Sequence, residues 1–371
     1  MTEPTGPGEW RRHAHRFAEE EIRPRVDEME RSGGIPAALR AALGEHGFMG
    51  LTLPREFGGA AASTRSLVAV LTEIARASAS VATLLSVHLS VAAAPIATSG
   101  TPEQKERYLP RLARGEWLGA FALTEPGVGS DPAHMATTYR LEESGYRVQG
   151  TKTFITNGAS ADLLLTFATR DPALGNAGVT AFLLPRGTAG FQASSKLDKL
   201  GLRSSETTQL EYVDVHLPLG ARLGLEGEGL RIALKALTDG RVGIAACALG
   251  VAEAALDDLV AAGKVDPSDR ARAIAGAAYT EVLSARALVE LAADLKDQGE
   301  PFRSEASAAK LHASRVAVRT AHAAFDARGT EAAREGSRAG RLLRDARVFP
   351  IVEGTSEIQE LILGRALLGD E

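Results

Sequence analysis

Apolar residues recur at three- and four-residue spacing through two long tracts of this chain, and at two-residue spacing through the tract between them. From Glu9 to Trp117, stretches such as LVAVLTEIARASASVATLL (67–85) and EQKERYLPRLARGE (103–116) have the period of helices that bury one face. Thr101-Pro102 marks one helix start: Thr caps, and Pro in the first turn gives up an amide that would lack a partner anyway. From Leu118 to Leu219 the segments YRVQGTKTFITNG (146–158), LLLTFATR (163–170), VTAFLLPRG (179–187) and TTQLEYVDVHL (207–217) are short and rich in Val, Thr, Phe and Ile. Gly, Asn or Pro bounds them, as for strands. After LGLEGEGL (223–230) an Ala- and Leu-rich helical period returns, broken at Asp266-Pro267 and at Gly299-Glu300-Pro301. The expected fold class is α+β, mostly α, with a helical domain over 1–117, a β domain over 118–222 and a helical unit over 223–371. Ala-rich helices pack closely and leave outward faces suited to self-association, so a homo-oligomer, dimer or tetramer, is expected. The first residues, with Pro4, Gly6 and Pro7, are expected to form a mobile tail.

Composition narrows the function classes. With 371 residues the chain exceeds the roughly 250–300 at which single cores stop growing, which suits several packed units. A net charge of -5 with interspersed signs argues against a nucleic-acid partner. Cys247 is the only cysteine, which excludes an intramolecular disulfide and a multi-cysteine zinc site and suits a reducing, cytoplasmic setting. The eight histidines show no metal spacing; His13 and His15 fall on an N-terminal helix expected to be exposed, and His88 reads as a satisfied helix residue. There is no apolar signal core and no run near the roughly 18 apolar residues of a membrane span.

Three stretches carry candidate chemistry. FALTEPGVGSDP (121–132) opens as a strand and turns into a loop whose Gly127 and Gly129 permit positive φ and close approach of backbone to a ligand, with Thr124 and Ser130 adding hydroxyls. Two readings stand, a decorated turn and a cradle for a ring edge or phosphate. The spacing is neither a dinucleotide fingerprint nor a Walker loop, and no serine-hydrolase elbow occurs. In TKTFITNG (151–158) strand alternation puts Lys152, Phe154 and Thr156 on one face and Thr151, Thr153 and Ile155 on the other. Phe154 is then either core or a cover for a flat heterocycle. In RVFPIVEGTSEIQ (347–359), Ser356 and Gln359 have capping-box spacing, which places Glu353 outside the helix. Flanked by Phe349, Ile351 and Val352, Glu353 is either a solvated carboxylate or a desolvated one whose raised pKa suits a general base.

In this order, LPREFGG (53–59), QKERYLPRLARGEWLGAFALTEPGVGSD (104–131), KTFITNG (152–158), LGLRSSETTQLEYVDVHLP (200–218) and RDARVFPIVEGTSEIQ (344–359) resemble the acyl-CoA dehydrogenase family across nearly the whole chain. The resemblance implies an N-terminal helical domain, a central β domain and a C-terminal four-helix bundle. It implies FAD as cofactor, an acyl-CoA or acyl-carrier thioester as substrate and electron-transfer flavoprotein as acceptor. Phe121, Leu123 and Thr124 match a strand beside the flavin ring, Gly129 and Ser130 positions near the FAD pyrophosphate and the CoA tail, and Phe154, Ile155 and Thr156 the stretch against the ring face and N5. Thr355 and Glu357 match residues approaching the cofactor, and Arg241 and Gly354 match substrate-side positions. Glu353 matches the catalytic base; the base position of other branches is Gly240 here. The chain departs from the family where an R-x-x-F-G loop and a G-G-x-G turn reach a neighbouring subunit's FAD. KVDPSDRARAIAG (264–276) and DARGTEAAREG (326–336) replace them, and Thr238 stands where an acidic residue is frequent. Weaker FAD retention is the consequence expected.

Overall fold

The structure, a computed structural model, describes residues 4–265 and 267–369. The start of the expected tail and Asp266 of the expected break lie outside the described residues. Among the described residues seven α-helices come first: α1 (Pro7–Phe17), α2 (Val26–Ser32), α3 (Ala37–Glu45), α4 (Thr64–Ala77), α5 (Ala79–Ser86), α6 (Ala94–Ser99) and α7 (Pro102–Ala113). Side chains set their starts: Ser63 and Ser78 cap α4 and α5, and Thr101 with Gln104 closes a full capping box on α7. A π-helical segment, Val87–Ala93, joins α5 to α6. The resulting helix, Ala79–Ser99, has the length and composition to cross a membrane, but 83% of its apolar window is buried inside the protein. It is a core helix, and its apolar length is used for packing.

Eight strands follow among the described residues: β1 (Gly119–Ala122), β2 (Thr138–Glu142), β3 (Gly145–Thr156), β4 (Leu163–Thr169), β5 (Val179–Pro185), β6 (Phe191–Ala193), β7 (Thr207–Pro218) and β8 (Arg222–Leu223). They form one sheet in the order β6-β7-β3-β2-β4-β5-β8, with β1 parallel to β4. All seven residues of β4 are buried, which is why LLLTFAT lacks the alternation of a half-exposed strand. Leu163, Leu165 and Phe167 join the core shared with the helices, while Leu164 and Ala168 join Tyr139, Tyr146, Phe182 and Tyr212 in the core of the β domain. The sheet is thereby welded to the helical layers, and β1 is held at the junction.

The C-terminal helices are α8 (Gly229–Val265), α9 (Asp269–Gln298), α10 (Arg303–Arg328), α11 (Arg338–Ala346) and α12 (Ser356–Leu368). Gly299 at φ 76 ends α9 in the left-handed conformation, as the Gly-Glu-Pro break anticipates. Helix α8 lies between α4 and α10. Its small residues allow that approach: a Cβ at Gly250 would press on the backbone oxygen of Thr72 and lie 2.6 Å from the Ala75 Cβ. Cys247 is free and buried in this layer. The helical, β, helical order matches the expectation from periodicity.

Candidate active site

The TEPG loop is tied to β3 by a buried ion pair. Lys152, fully buried, donates from Nζ to Glu125 Oε1 at 2.7 Å and to the Leu123 carbonyl at 3.1 Å. Glu125 also accepts the Ala136 and Thr137 amides at 2.5 and 3.0 Å. Burial drives the Lys152 ammonium down to about 8 against the pull of Glu125. The Thr153 amide donates to the Thr124 carbonyl at 2.8 Å, so Thr124 runs alongside β3. The loop itself is closed by reciprocal Glu125 and Val128 amide-to-carbonyl bonds. Gly127 and Gly129 have no positive φ, and a Cβ at either would meet nothing within 4 Å. The expectation that these glycines serve positive φ is therefore corrected: the tight turn is secured by Glu125, and the loop is open outward. Gly129 and Ser130 are exposed on it.

The alternation expected along β3 also fails. A register shift lies between Lys152 and Ile155, and Phe154 sits in it at φ 57, so Phe154 leaves the face it would share with Lys152. Lys152 and Ile155 point inward, Thr153 is buried, and Phe154 is 67% exposed. Phe154 is not core. A bulky residue held in left-handed backbone with its ring uncovered is strain stored at a surface. Thr124 and Thr156 are half-buried, and neither hydroxyl has a hydrogen-bond partner among the described residues. An uncovered ring on one rim with two free hydroxyls fits the face and edge of a flat heterocycle.

The third stretch forms a strained turn between α11 and α12. Glu353 and Gly354 have φ 53 and 91. The Ser356/Gln359 capping box is corrected: Thr355 is the cap, accepting the Ile358 amide at 3.4 Å, and Ser356 already lies inside α12. The Gln359 amide instead donates to the Gly354 and Glu353 carbonyls at 3.0 and 3.4 Å. It is free to do so because Thr355 satisfies the helix start. Glu357, one position into the helix, is exposed.

Glu353 as a residue is half-buried, yet both carboxylate oxygens are inaccessible and lack a hydrogen-bond partner. The cover does not come from Ile351, which is 65% exposed. It comes from α8: a Cβ at Gly240 would lie 2.9 Å from the Glu353 carboxyl carbon and 2.9 Å from Val91 Cγ1. The two alternative base positions thus converge on one spot, and an acidic side chain at 240 would collide with Glu353. Burial pushes the carboxyl up to about 7, against the opposing pull of Arg241 and Lys310. Arg241 is itself buried, with its Nη1 3.4 Å from Ser307 Oγ. The Glu353 amide has no acceptor among the described residues, leaving a free donor beside the carboxylate.

An apolar contact joins base and sheet. Val87, Val91 and Ala236 form a small cluster against which Phe121 packs, and Val91 also touches the Glu353 spot. The π-helical segment carrying Val87 and Val91 is pinned by His88, whose Nε2 donates to the Met49 and Leu112 carbonyls (3.1 and 3.2 Å) and whose Nδ1 accepts the Gly119 amide at 3.1 Å. Burial lowers His88 to about 4, so it stays neutral and bridges to β1. The Thr153 amide ties the Phe154 to Thr156 stretch to Thr124, Leu123 and Ile155 are buried in the core, and Phe121 packs on the Val87, Val91 and Ala236 cluster, whose Val91 also lies beside the Glu353 carboxylate. Sequence reasoning missed Glu125, Lys152, Val91 and Lys310. Lys310 had a signal: a lone lysine between Ala306 and Ala313 on a helix face otherwise made of small residues.

The N-terminal, middle and C-terminal domains of acyl-CoA dehydrogenases match residues 8–116, 120–215 and 227–368. An acyl-CoA dehydrogenase of Bacillus subtilis is 43% identical over 361 residues, covering 95% of each chain. The chain belongs to the acyl-CoA dehydrogenase family. Among solved structures, butyryl-CoA dehydrogenase from Megasphaera elsdenii superposes with a TM-score of 0.95 at 37% identity, covering 98% of each chain. A chain from a study of the electron transferring flavoprotein of Acidaminococcus fermentans superposes at 0.96 with 35% identity over 98% of this chain and 97% of that one. Acyl-CoA dehydrogenases are FAD-dependent oxidoreductases acting on CH–CH bonds, and this chain is such an enzyme. The uncovered Phe154 and the free Thr124 and Thr156 hydroxyls fit that cofactor's ring.

Proposed function

We propose that this enzyme oxidises a short acyl thioester to its trans-2-enoyl product with Glu353 as the base. The observation that carries the reading is the Glu353 carboxylate, buried without a partner beside a free backbone amide and the apolar Val87, Val91 and Ala236 cluster. An α-proton next to a thioester is weakly acidic, so its removal needs a positioned base and a donor for the charge that develops on the carbonyl oxygen. Glu353 takes the α-proton on its carboxylate as the Cα–Cβ double bond forms. Its amide donates to the thioester oxygen, and the apolar cluster excludes water from the chain. When bound, the flavin supplies the acceptor for the hydride that leaves Cβ. Phe121, Leu123, Thr124, Phe154, Ile155 and Thr156 would hold its ring, Gly129 and Ser130 its pyrophosphate and the CoA tail, and Thr355 and Glu357 its approach from α12. Arg241 and Gly354 would face the thioester.

Electron-transfer flavoprotein is the acceptor we infer, in a cytoplasmic homo-oligomer. A carrier-bound substrate is the second reading: Asp239, the acidic residue near Thr238, pairs with Lys296 at 2.9 Å and is not free for CoA. The test mixes FAD-loaded protein anaerobically with butyryl-CoA or with butyryl carrier protein. Oxidised-flavin absorbance should bleach with one of them in wild type and with neither in Glu353→Gln, which should keep its flavin. Bleaching in Glu353→Gln at the wild-type rate would remove Glu353 from the mechanism.

A further inference from the structure

The turn that presents Glu353 is expensive. Two successive residues lie in the left-handed region, and one of them is not glycine, a conformation that side chains resist. Something must hold it. Gln359 grips both inward-turned carbonyls from α12, and Lys310 reaches across from α10 to donate from Nζ to the Gly354 carbonyl at 2.6 Å. Lys310 is fully buried on a face built of the small residues Ala306, Ser307, Ala309, Ala313 and Ser314. Burying an ammonium there opposes folding, and burial pulls it down to about 8. An apolar side chain would satisfy the packing of α10 better, so packing does not account for the lysine. The carbonyl it grips belongs to the residue after the base.

Resting on the reading of Glu353 as base, we infer that Lys310 is a positioning residue for the reaction: its ammonium clamps the Gly354 carbonyl and thereby aims the Glu353 carboxylate into the space beside Gly240. The charge adds a second effect. Lys310 and Arg241 are the cations that favour ionised Glu353, Cys247 of α8 also faces the carboxylate, Glu357 of α12 and Arg241 act on Lys310, Arg303 acts on Arg241, and Val91 on the π-helical side carries no charge. Removing the ammonium leaves Glu353 harder to ionise.

The test uses the FAD-loaded enzyme with four proteins: wild type, Lys310→Met, Lys310→Arg and Glu353→Gln. Lys310→Met should keep flavin and bind thioester, yet bleach about 10–100-fold more slowly. It should exchange the substrate α-proton with deuterated water correspondingly more slowly, and the acidic limb of its kcat/KM profile should move to higher pH. Lys310→Arg, which keeps charge and donors, should recover part of the rate and return the limb. An unmoved limb and wild-type exchange in Lys310→Met, with Glu353→Gln inactive, would overturn the role of Lys310 alone. Full activity in Glu353→Gln would overturn the base reading whatever Lys310 does. Should Lys310→Met not fold, Lys310→Gln decides in the same way, since it is neutral and still a donor: a limb at the wild-type position overturns the inference.

Discussion

Gly240→Ala separates folding from catalysis, because the nearest atoms in its way are side-chain ends. The new Cβ would press hardest on Glu353 Oε2 and stand 2.9 Å from the Glu353 carboxyl carbon and 2.9 Å from Val91 Cγ1, against roughly 3.5–4.0 Å for carbon atoms at optimal separation. Val91 must give way by about 0.5–1 Å, and the Glu353 carboxylate, whose Oε2 is met first, by more. Gly240 is interior to the 37-residue α8, where replacing Gly with Ala favours the helix by about 1 kcal/mol. The added methyl overpacks the site by about 1–3 kcal/mol before relaxation. A carboxylate on a flexible stem relieves much of that by moving, so stability should change by no more than about 1 kcal/mol. The reaction does not tolerate the same movement: a misplacement of about 1 Å costs on the order of a hundredfold. The variant should therefore bind flavin, melt near the wild-type temperature and bleach about 10–100-fold more slowly in anaerobic stopped flow. Val91→Ala added to it relieves only the Val91 side of the clash and should leave most of the rate defect. A Gly240→Ala rate within twofold of wild type would refute the placement of the base at this spot, and full restoration by Val91→Ala would assign the defect to the pocket wall.

Other outcomes follow from the same geometry. Because burial raises Glu353 from 4.5 to about 7, kcat/KM should rise as pH increases through about 7; a profile flat from pH ~5.5 to ~7.5 would contradict a buried base. Ionising that carboxyl opposes the fold, so stability is full below the unfolded pKa and falls as pH rises to the folded one. Wild type should lose about 3 kcal/mol over that window relative to Glu353→Gln, read as a pH-dependent gap between their melting temperatures. Lys152→Met strands Glu125 as a buried unpaired charge and should cost about 3–5 kcal/mol, most of which adding Glu125→Gln should return; a melting temperature like wild type would show the pair to be dispensable. Phe154→Ala removes a ring that is 67% exposed, so melting should hardly change while flavin affinity, followed by fluorescence titration, drops several-fold; unchanged affinity would detach Phe154 from the cofactor.

The layer order was legible because it depends on local periodicity. Helical spacing in 67–85 and 103–116, short β-rich runs in 146–217 and the return to Ala-rich helix after 230 each follow from which residues must share a face. The start of α7 was legible for the same local reason, since Thr101 and Gln104 meet within one turn. The finer site was less so. Alternation assigned Phe154 to the face of Lys152, but a bulge in β3, matched to β7 across the sheet, turned it outward. The pattern S-x-x-Q suggested a capping box, but Thr355 took the cap once the Glu353 turn needed Gln359 for its carbonyls.

By itself, the chain determined the elements and the residue types: a carboxylate before α12, hydroxyls and an aromatic on a strand end, a lone buried-face lysine in α10. Which of these meet was decided by tertiary structure. Glu353 and Gly240 are separated by more than a hundred positions and converge because α8 and the turn before α12 close on one point. The raised pKa of Glu353 is a property of that point, since it comes from the exclusion of water where α8 and the π-helical segment close on the carboxylate, which outweighs the opposing charges of Arg241 and Lys310. Desolvation depends on everything packed around a group, and no local window of sequence contains it.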